Sequence, residues 1–344
     1  MKRVLLRADE SADWKIAGLR QLDRLALTLN EFAQKDNAGT PLVVAVQWNA
    51  SIGPSRRWLP NDSRLTAISI TEDVSGEFDM TLSTHQLLSR DTLACVEIAS
   101  ASEIEATECR FLRASGKSQD GLVSRFMNRP ISRAATQRLL KTRITPNEWS
   151  IMIVPLVIVA AFCLRHGSYA SILFGLVLFQ VFSILDGCDG EIARAKFMES
   201  KSGRMLDDLS DIVCNVLLVF GLGLGLGHFH RGVLIEGMFV AVLIGVNELA
   251  LSTARPDEVE SKMHSLGANL YPRHRSLVAN SGLLVFGERF AYWLIQLTKR
   301  DVSFVLFILL AALGWSAWIL HLLLLVNAIS LALALKARFR PTTR

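Results

Sequence analysis

From Trp149 onward the chain carries six nearly unbroken apolar runs, at residues 150–164, 169–185, 212–227, 233–251, 302–318 and 319–335. With its flanks, each run reaches the roughly 20 helical residues needed to cross an apolar bilayer core of about 30 Å. Buried helices of a soluble globule would not supply six such runs in so short a stretch. The expected C-terminal architecture is therefore an all-α domain of six transmembrane helices, the last two joined by a very tight turn near Trp315 to Trp318. Ahead of it the apolar pattern has a shorter period. Strand-like runs at 4–7, 41–47, 65–71 and 94–99 alternate with helical patterns at 14–33 and around 84–93. That order predicts an α/β domain with a mainly parallel sheet.

Composition agrees with this division. The 344 residues are 51% hydrophobic and 20% charged, with a mean hydropathy of +0.33, which excludes a wholly disordered chain. The formal charge of +5 is unevenly spread: −3 over residues 1–120, +5 over 121–148 and +3 over 149–344. A basic excess confined to one short stretch argues against a broad nucleic-acid-binding face, and no nucleic-acid partner is expected. In that stretch Arg125, Arg129, Arg133 and Arg138 recur near helical spacing, with Phe126, Met127, Ile131, Leu139 and Leu140 between them. Such a helix is expected to lie on an anionic leaflet. A second amphipathic segment at 282–301 reads better as interfacial than as a seventh span. The expected divisions are a cytoplasmic domain over 1–118, a basic juxtamembrane helix over 119–147, the six-span domain over 148–338 and a basic tail over 339–344.

Lys and Arg crowd the flank before the first span, the loops after spans two and four, and the tail; the opposite loops hold only Arg165 and Arg231. Both termini are therefore expected on the cytoplasmic side. The start, MKRVLLRADESADW, has no apolar run long enough for a signal peptide, so the front domain is expected in the cytoplasm, attached to a protein integral to the cytoplasmic membrane. The five cysteines are odd in number and widely spaced, which fits packing better than disulfides or a CxxC metal site.

Four carboxylates stand where the apolar pattern makes them expensive. Asp186 and Asp189 close span two, and Asp207 and Asp211 open span three; a charge inside a bilayer costs at least about 2.5 kcal/mol. Spacings of i, i+3 and i, i+4 place each pair on one helix face, and two helices leaving one short loop bring the pairs to one depth. Oxygen donors without His or Cys favour a hard cation, Mg²⁺, with Mn²⁺ as a substitute. Asp208 lies off this face and is expected to be a solvated residue at the helix start. Gly190 and Ala193 leave a shallow strip beside the carboxylates, Gly203 loosens the turn into span three, and Arg194 offers a planar fork to a phosphate.

The array Asp186-x2-Asp189-Gly190-x2-Ala193-Arg194-x8-Gly203-x3-Asp207-x3-Asp211 resembles, without gap or exchange, the signature of the CDP-alcohol phosphotransferase family of membrane enzymes. The triplet Thr145 to Asn147 and the stretch 128–133 also look like this family, and the resemblance covers about residues 120–340. It implies six spans, a homodimer among membrane lipid, and divalent metal set against the diphosphate of a CDP-linked donor. Carried over, it makes Asp186, Asp189 and Asp207 metal ligands and makes Asp211 a metal contact or the general base. Asp186, Asp189, Gly190, Ala193, Arg194, Gly203 and Asn147 become the CDP-binding set. An acceptor hydroxyl would then displace CMP and leave a phosphodiester.

The front domain resembles sugar-nucleotide and cytidylyl transferases over KIAGLRQLDRLALTLNEFAQKDNAGTPLVVAV. Where those enzymes place a Gly-rich triphosphate loop, this chain has LLRADESADWK, without glycine and with three acids. A nucleotidyltransferase-like but inactive domain is expected; the alternative is a bifunctional protein that makes its own CDP-alcohol. Such domains joined to this family resemble its inositol-phosphate branch, whose members join CDP-inositol to inositol phosphate. For a phosphorylated acceptor Arg255, Arg273 and Arg275 are the candidate contacts. A lipid donor, CDP-diacylglycerol, stays open. The rival classes fit less well: a transporter calls for mid-bilayer carboxylates and repeated spans, and a non-catalytic receptor calls for a lost site residue.

Overall fold

The computed structural model describes residues 2–36, 41–90, 94–114, 121–228, 230–252 and 299–339. They form two compact bodies: residues 1–115 with 137–143 and 194–198, and residues 116–136 with 144–193 and 199–344.

In the first body β1 (Arg3–Ala8) leads to a hairpin of β2 (Lys15–Ile16) and β3 (Leu19–Arg20). Then come α1 (Gln21–Asp36), β4 (Leu42–Trp48), β5 (Ile68–Thr71), β6 (Met80–Ser83), a second hairpin of β7 (Gln86–Leu88) and β8 (Cys95–Glu97), and α2 (Ile104–Ala114). The main sheet has the order β5-β4-β1-β6 and is parallel throughout, with Leu6 opposite Val46 on one side and Leu82 on the other. The α1 residues Leu22, Leu25, Ala26 and Leu29, one face at helical spacing, bury themselves with Val4, Leu6, Val44, Val46 and Leu82.

The parallel α/β expectation thus holds, but three local expectations change. The helical pattern from residue 14 starts as a helix only at Gln21, because Ala17 (φ 48°) and Gly18 (φ 82°) make the two-residue turn between β2 and β3. Among the described residues of 84–93 no helix forms. Leu87 pairs with Val96 in the second hairpin, and burial of Leu87 with Ile16 and Ile98 favours the strand. Helix α2 was not anticipated, since its pattern is short and interrupted by charges.

In the second body a π-helical turn at Ser124–Asn128 runs into α3 (Arg129–Leu139). There follow α4 (Pro146–His166), α5 (Tyr169–Lys196), α6 (Lys201–Gly227), α7 (Arg231–Ser252), α8 (Arg300–Ala312) and α9 (Ala317–Phe339). Helix α4 begins at a capping box in which Thr145 and Glu148 satisfy each other's backbone amides. Phe179, Phe182, Phe304 and Phe307 form the centre of a core with Val157, Leu164, Leu218 and Leu222, while Phe162, Phe174, Phe220 and Phe239 face outward.

Helices occupy all six apolar runs. Among the described residues three of them, α4, α5 and α6, are long and apolar enough to cross a membrane. The fifth run does not stay helical to residue 318. Helix α8 ends at Ala312 after 13 residues, about 20 Å, and the chain turns at residues 313–316 with Gly314 at φ 79°. The basic stretch also departs from a single surface-lying helix: it is a π turn, α3, and a break before α4. Its exposed apolar side includes Phe126 and Ile131. Arg129 is not at a leaflet but buried, paired with Glu191. Arg255, Arg273, Arg275, most of the segment 282–301 and the last tail residues 340–344 lie outside the described residues.

Candidate active site

Two helices joined by four residues carry the site. Helix α5 stops at Lys196, Phe197 adopts φ 55°, and Ser200 caps α6 by accepting the Gly203 amide at 3.0 Å. Gly203 therefore sits inside the first turn of α6 rather than in a loosened linker. Its lack of a side chain serves packing: a Cβ there would lie 3.2 Å from Asn147 Oδ1 and 3.1 Å from Ser200 Oγ.

The turn returns the chain so that Asp186 of α5 meets Asp207 and Asp211 of α6. One carboxylate oxygen from each lies within 4.8 Å of the others. Asp186 is buried, and Asp207 and Asp211 are half-buried. Asp186 Oδ1 is enclosed without a hydrogen-bond donor, an expensive state for a carboxylate oxygen unless a cation completes it. Three convergent oxygen donors with one buried orphan fit a hard divalent cation.

Asp189 does not join this group. Its Oδ2 accepts Ser150 Oγ from α4 at 2.6 Å, and its Oδ1 accepts the Gly190 amide. Asp208 is exposed, as expected, but stands in the second turn of α6 rather than at its start. Gly190 and Ala193 are half-buried on α5 beyond Asp189, and Arg194 follows in its last turn. Asn147 is exposed in the first turn of α4.

Two participants escaped the sequence reading. Arg300, the first residue of α8, donates from Nη2 to Asp186 Oδ2 at 2.6 Å and is also ion-paired with Asp211. Before an apolar run it looked like ordinary cytoplasmic charge, and no spacing links residue 300 to residue 186. Asp301, buried beside it, accepts the Ser124 amide at 2.6 Å and so ties the start of α8 to the π turn. Glu191, 2% exposed, is the other. It binds Arg129 at 3.0 Å, Ser132 Oγ at 2.9 Å and Thr136 Oγ1 at 2.7 Å, all from α3 or its first residue. Trp149 Nε1 also donates to the Leu185 carbonyl at 2.9 Å. Such contacts fix the rotation of α5, and therefore where Asp186 points. The only signal for Glu191 was a further acid inside the motif.

A model of the CDP-alcohol phosphatidyltransferase family matches residues 143–330, more than half of the chain and all four aspartates. The chain belongs to this family. It is thus an enzyme of the CDP-alcohol phosphotransferase class, and the carboxylate cluster lies within the matched region. Curated relatives named "Bifunctional IPC transferase and DIPP synthase" match shorter stretches. The protein from Thermococcus kodakarensis is 34% identical over 122 residues, 35% of this chain and 27% of its own. That from Rubrobacter xylanophilus is 36% identical over 131 residues, 38% of this chain and 29% of its own. That from Archaeoglobus fulgidus is 39% identical over 94 residues, 27% of this chain and 18% of its own. The matched stretches span less than a third of each relative, and the inositol-phosphate branch of the family is the one they support.

Proposed function

We propose that this protein transfers a substituted phosphate from a CDP-linked donor to an acceptor hydroxyl, releasing CMP, from the cytoplasmic face of the inner membrane. The observation that carries the reading is the convergence of Asp186, Asp207 and Asp211 on one point, with an orphaned buried oxygen, inside a family-matched segment. Asp186, Asp207 and Asp211 would hold Mg²⁺, which supplies positive charge against the diphosphate as the bridging bond breaks. Gly190 and Ala193, having little or no side chain, leave the α5 backbone open to a flat ligand, and Arg194 presents a fork suited to the diphosphate. Asp189, held by Ser150, keeps the Gly190 backbone in place and stands next to the donor. Asn147 and Gly203 border the same entry to α6.

In the reaction the acceptor hydroxyl gives its proton to the Asp211 carboxylate while its oxygen forms a bond to the β-phosphorus. The bond from that phosphorus to the bridging oxygen breaks, and its electron pair leaves with CMP. Asp211 is suited to the base's part by position: it stands half-buried beside Asp186 and Asp207, where a carboxylate oxygen can take up the acceptor's proton. Arg300 neutralises Asp186 and Asp211 in the described state, so it must yield as the donor and cation enter; its guanidinium then stands beside the diphosphate.

The relatives' names favour an inositol-phosphate pair of substrates, CDP-inositol with inositol phosphate; Arg255, Arg273 and Arg275 would then serve a phosphorylated acceptor. Incubation of the purified protein and Mg²⁺ with CDP-inositol or CDP-diacylglycerol, while acceptors are varied, tests this. CMP release with CDP-inositol and inositol phosphate is the expected result. Release with CDP-diacylglycerol alone would move the protein to a lipid pathway, and no release with any donor would overturn the reading.

The first body is read as nucleotidyltransferase-like and inactive. In parallel α/β sheets ligands bind at the carboxyl ends of the strands, where the strand order reverses, here between β1 and β6. That position is filled by side chains bonded to each other. Asp9 accepts from Ser11 Oγ at 2.6 Å and contacts His85 Nε2 at 3.0 Å, and Thr84 Oγ1 lies at hydrogen-bond distance, 2.6 Å, from Ser11 Oγ. Burial pushes the Asp9 carboxyl up, but the Ser11 hydrogen bonds and His85 outweigh it and hold the group below its ordinary value. A stable anion there repels a triphosphate. CTP turnover by the full protein at an enzymatic rate would show the domain to be active.

A further inference from the structure

The last residues of α5, from Arg194 on, belong to the first body and end there in a socket of three arginines. An α-helix leaves its final four carbonyls without helical partners. Here Arg90 Nη1 donates to the Arg194 carbonyl at 3.0 Å and Arg24 Nη2 to the Ala195 carbonyl at 2.7 Å. Arg64 Nη1 donates to the Lys196 carbonyl at 2.7 Å and the Phe197 carbonyl at 2.9 Å. Three positive charges thus face the negative end of the helix dipole.

Each arginine is aimed from its other side. Arg90 binds Glu31 through Nε and Nη2, and Arg64 grips Asp62 in the same forked way. Arg24 is 1% exposed and fixed on the Ile16 carbonyl at 2.8 Å. Phe197, a bulky residue in the left-handed region that usually takes glycine after a helix, is buried against two of them. The guanidinium carbon of Arg90 lies 4.6 Å from its ring centre and that of Arg24 lies 5.6 Å away. Lys196 donates to the Thr142 carbonyl at 3.0 Å, and Gly18 leaves room for its stem: a Cβ there would lie 2.9 Å from Lys196 Cε. A conformation this costly, with the four carbonyls from Arg194 to Phe197 engaged, marks a constraint held by the surrounding structure.

We propose that the first body acts on the reaction as a holder for this turn. Arg24, Arg64 and Arg90 fix the backbone from Arg194 to Phe197 and thereby set how the Arg194 side chain leaves it. This rests on the assignment of Arg194 to donor binding, and it gives a catalytically silent domain a positioning task. The arginines touch no substrate. Their removal should therefore weaken donor binding and leave the chemical step intact.

The test uses the full-length protein. Arg90→Gln and Arg64→Gln should each raise the Mg²⁺-dependent Kd for CDP and the KM for the CDP donor about fivefold, with kcat within twofold of the parent. Deuterium uptake by the amides of residues 195–199 should rise in both, and Arg90→Lys, which keeps a donor for the Arg194 carbonyl, should recover part of the affinity. Leu25→Ala, which damages the same body's core without touching the socket, controls for simple destabilisation. An unchanged Kd in both arginine variants would overturn the proposal, as would an equal loss in Leu25→Ala at matched thermal stability. Arg194→Gln separates the two layers of the argument. If it leaves CDP affinity intact, the donor-binding assignment itself falls; if it weakens binding and the socket variants do not, only the holder is lost.

Discussion

The two bodies treat buried polar groups in opposite ways. At the switch point of the sheet, Asp9, Ser11, Thr84 and His85 exhaust one another's hydrogen bonds, whereas in the helical body Asp186 keeps a buried oxygen with no donor and shares an arginine with Asp211. The first cluster turns its polar groups on one another. The second leaves a buried carboxylate oxygen unanswered, which is what the proposed cation would satisfy. Both are places where their folds commonly bind ligands, so fold alone does not identify the working site; the state of its hydrogen bonds does.

The sharpest way to break that contrast is to remove the acid from each cluster. Asp211→Asn should lower CMP release by about 10³-fold or more, as expected for loss of a base with its charge, while CDP binding measured by equilibrium dialysis falls far less, since the amide keeps one oxygen for the cation. Asp186→Asn should instead weaken Mg²⁺-dependent CDP binding. Full turnover in either variant would end the assignment. Next in size is Glu191→Ala, which strands Arg129 among buried groups and should cost about 3 kcal/mol, read as a fall in the thermal midpoint in detergent with Mg²⁺ present.

Arg300→Gln should produce a smaller effect with a distinctive sign. Freed of a competing guanidinium, the carboxylates should bind Mn²⁺ about tenfold more tightly, a gain of about 1.4 kcal/mol, even as CMP release falls. Metal affinity equal to the parent's would show that Arg300 does not share the cation's place. Smallest is Asp9→Asn, which should cost about 1 kcal/mol of stability in the first body and leave CMP release unchanged; a large loss of release would mean that the closed cluster takes part after all. The pH dependence of the first body follows the same logic. Asp9 and Asp62, the latter lowered chiefly by its hydrogen bonds to Arg64, have folded pKa values depressed below the unfolded ones. Their stabilisation is full above the ordinary carboxylate range and is lost as pH falls below about 4, visible as a drop in the thermal midpoint.

Much of the site was legible because metal and phosphate chemistry imposes spacing on a helix. Asp186, Asp207 and Asp211 can be placed together from the i, i+4 interval of the last two and one short loop. Asp189 shows the limit of that argument: sharing a face with Asp186 did not bring it to the same point, because Ser150 of another helix claims it. Arg300 and Glu191 were unreadable for a related reason. Their partners lie 114 and 62 residues away, and a charge beside an apolar run looks the same whether it faces water or a carboxylate. In the first body β1, β4 and β5 were visible in their runs of Val, Leu and Ile, while β6 was not anticipated, the run at 94–99 went to a hairpin instead of the main sheet, and the turns of both hairpins were masked by helix-like spacing. A turn with positive φ at Ala17 is chosen by packing and not by residue preference.

Hydropathy and local periodicity, read from the sequence by itself, were sufficient for an apolar helical region, a parallel α/β domain before it, and the acids that converge between α5 and α6, because solvent and helix geometry act residue by residue. Tertiary structure alone decided which carboxylate stays unsatisfied, which arginine answers it, and which side chains hold the end of α5. Those outcomes depend on distances between segments remote in sequence, where a hydrogen bond forms or fails within a few tenths of an ångström.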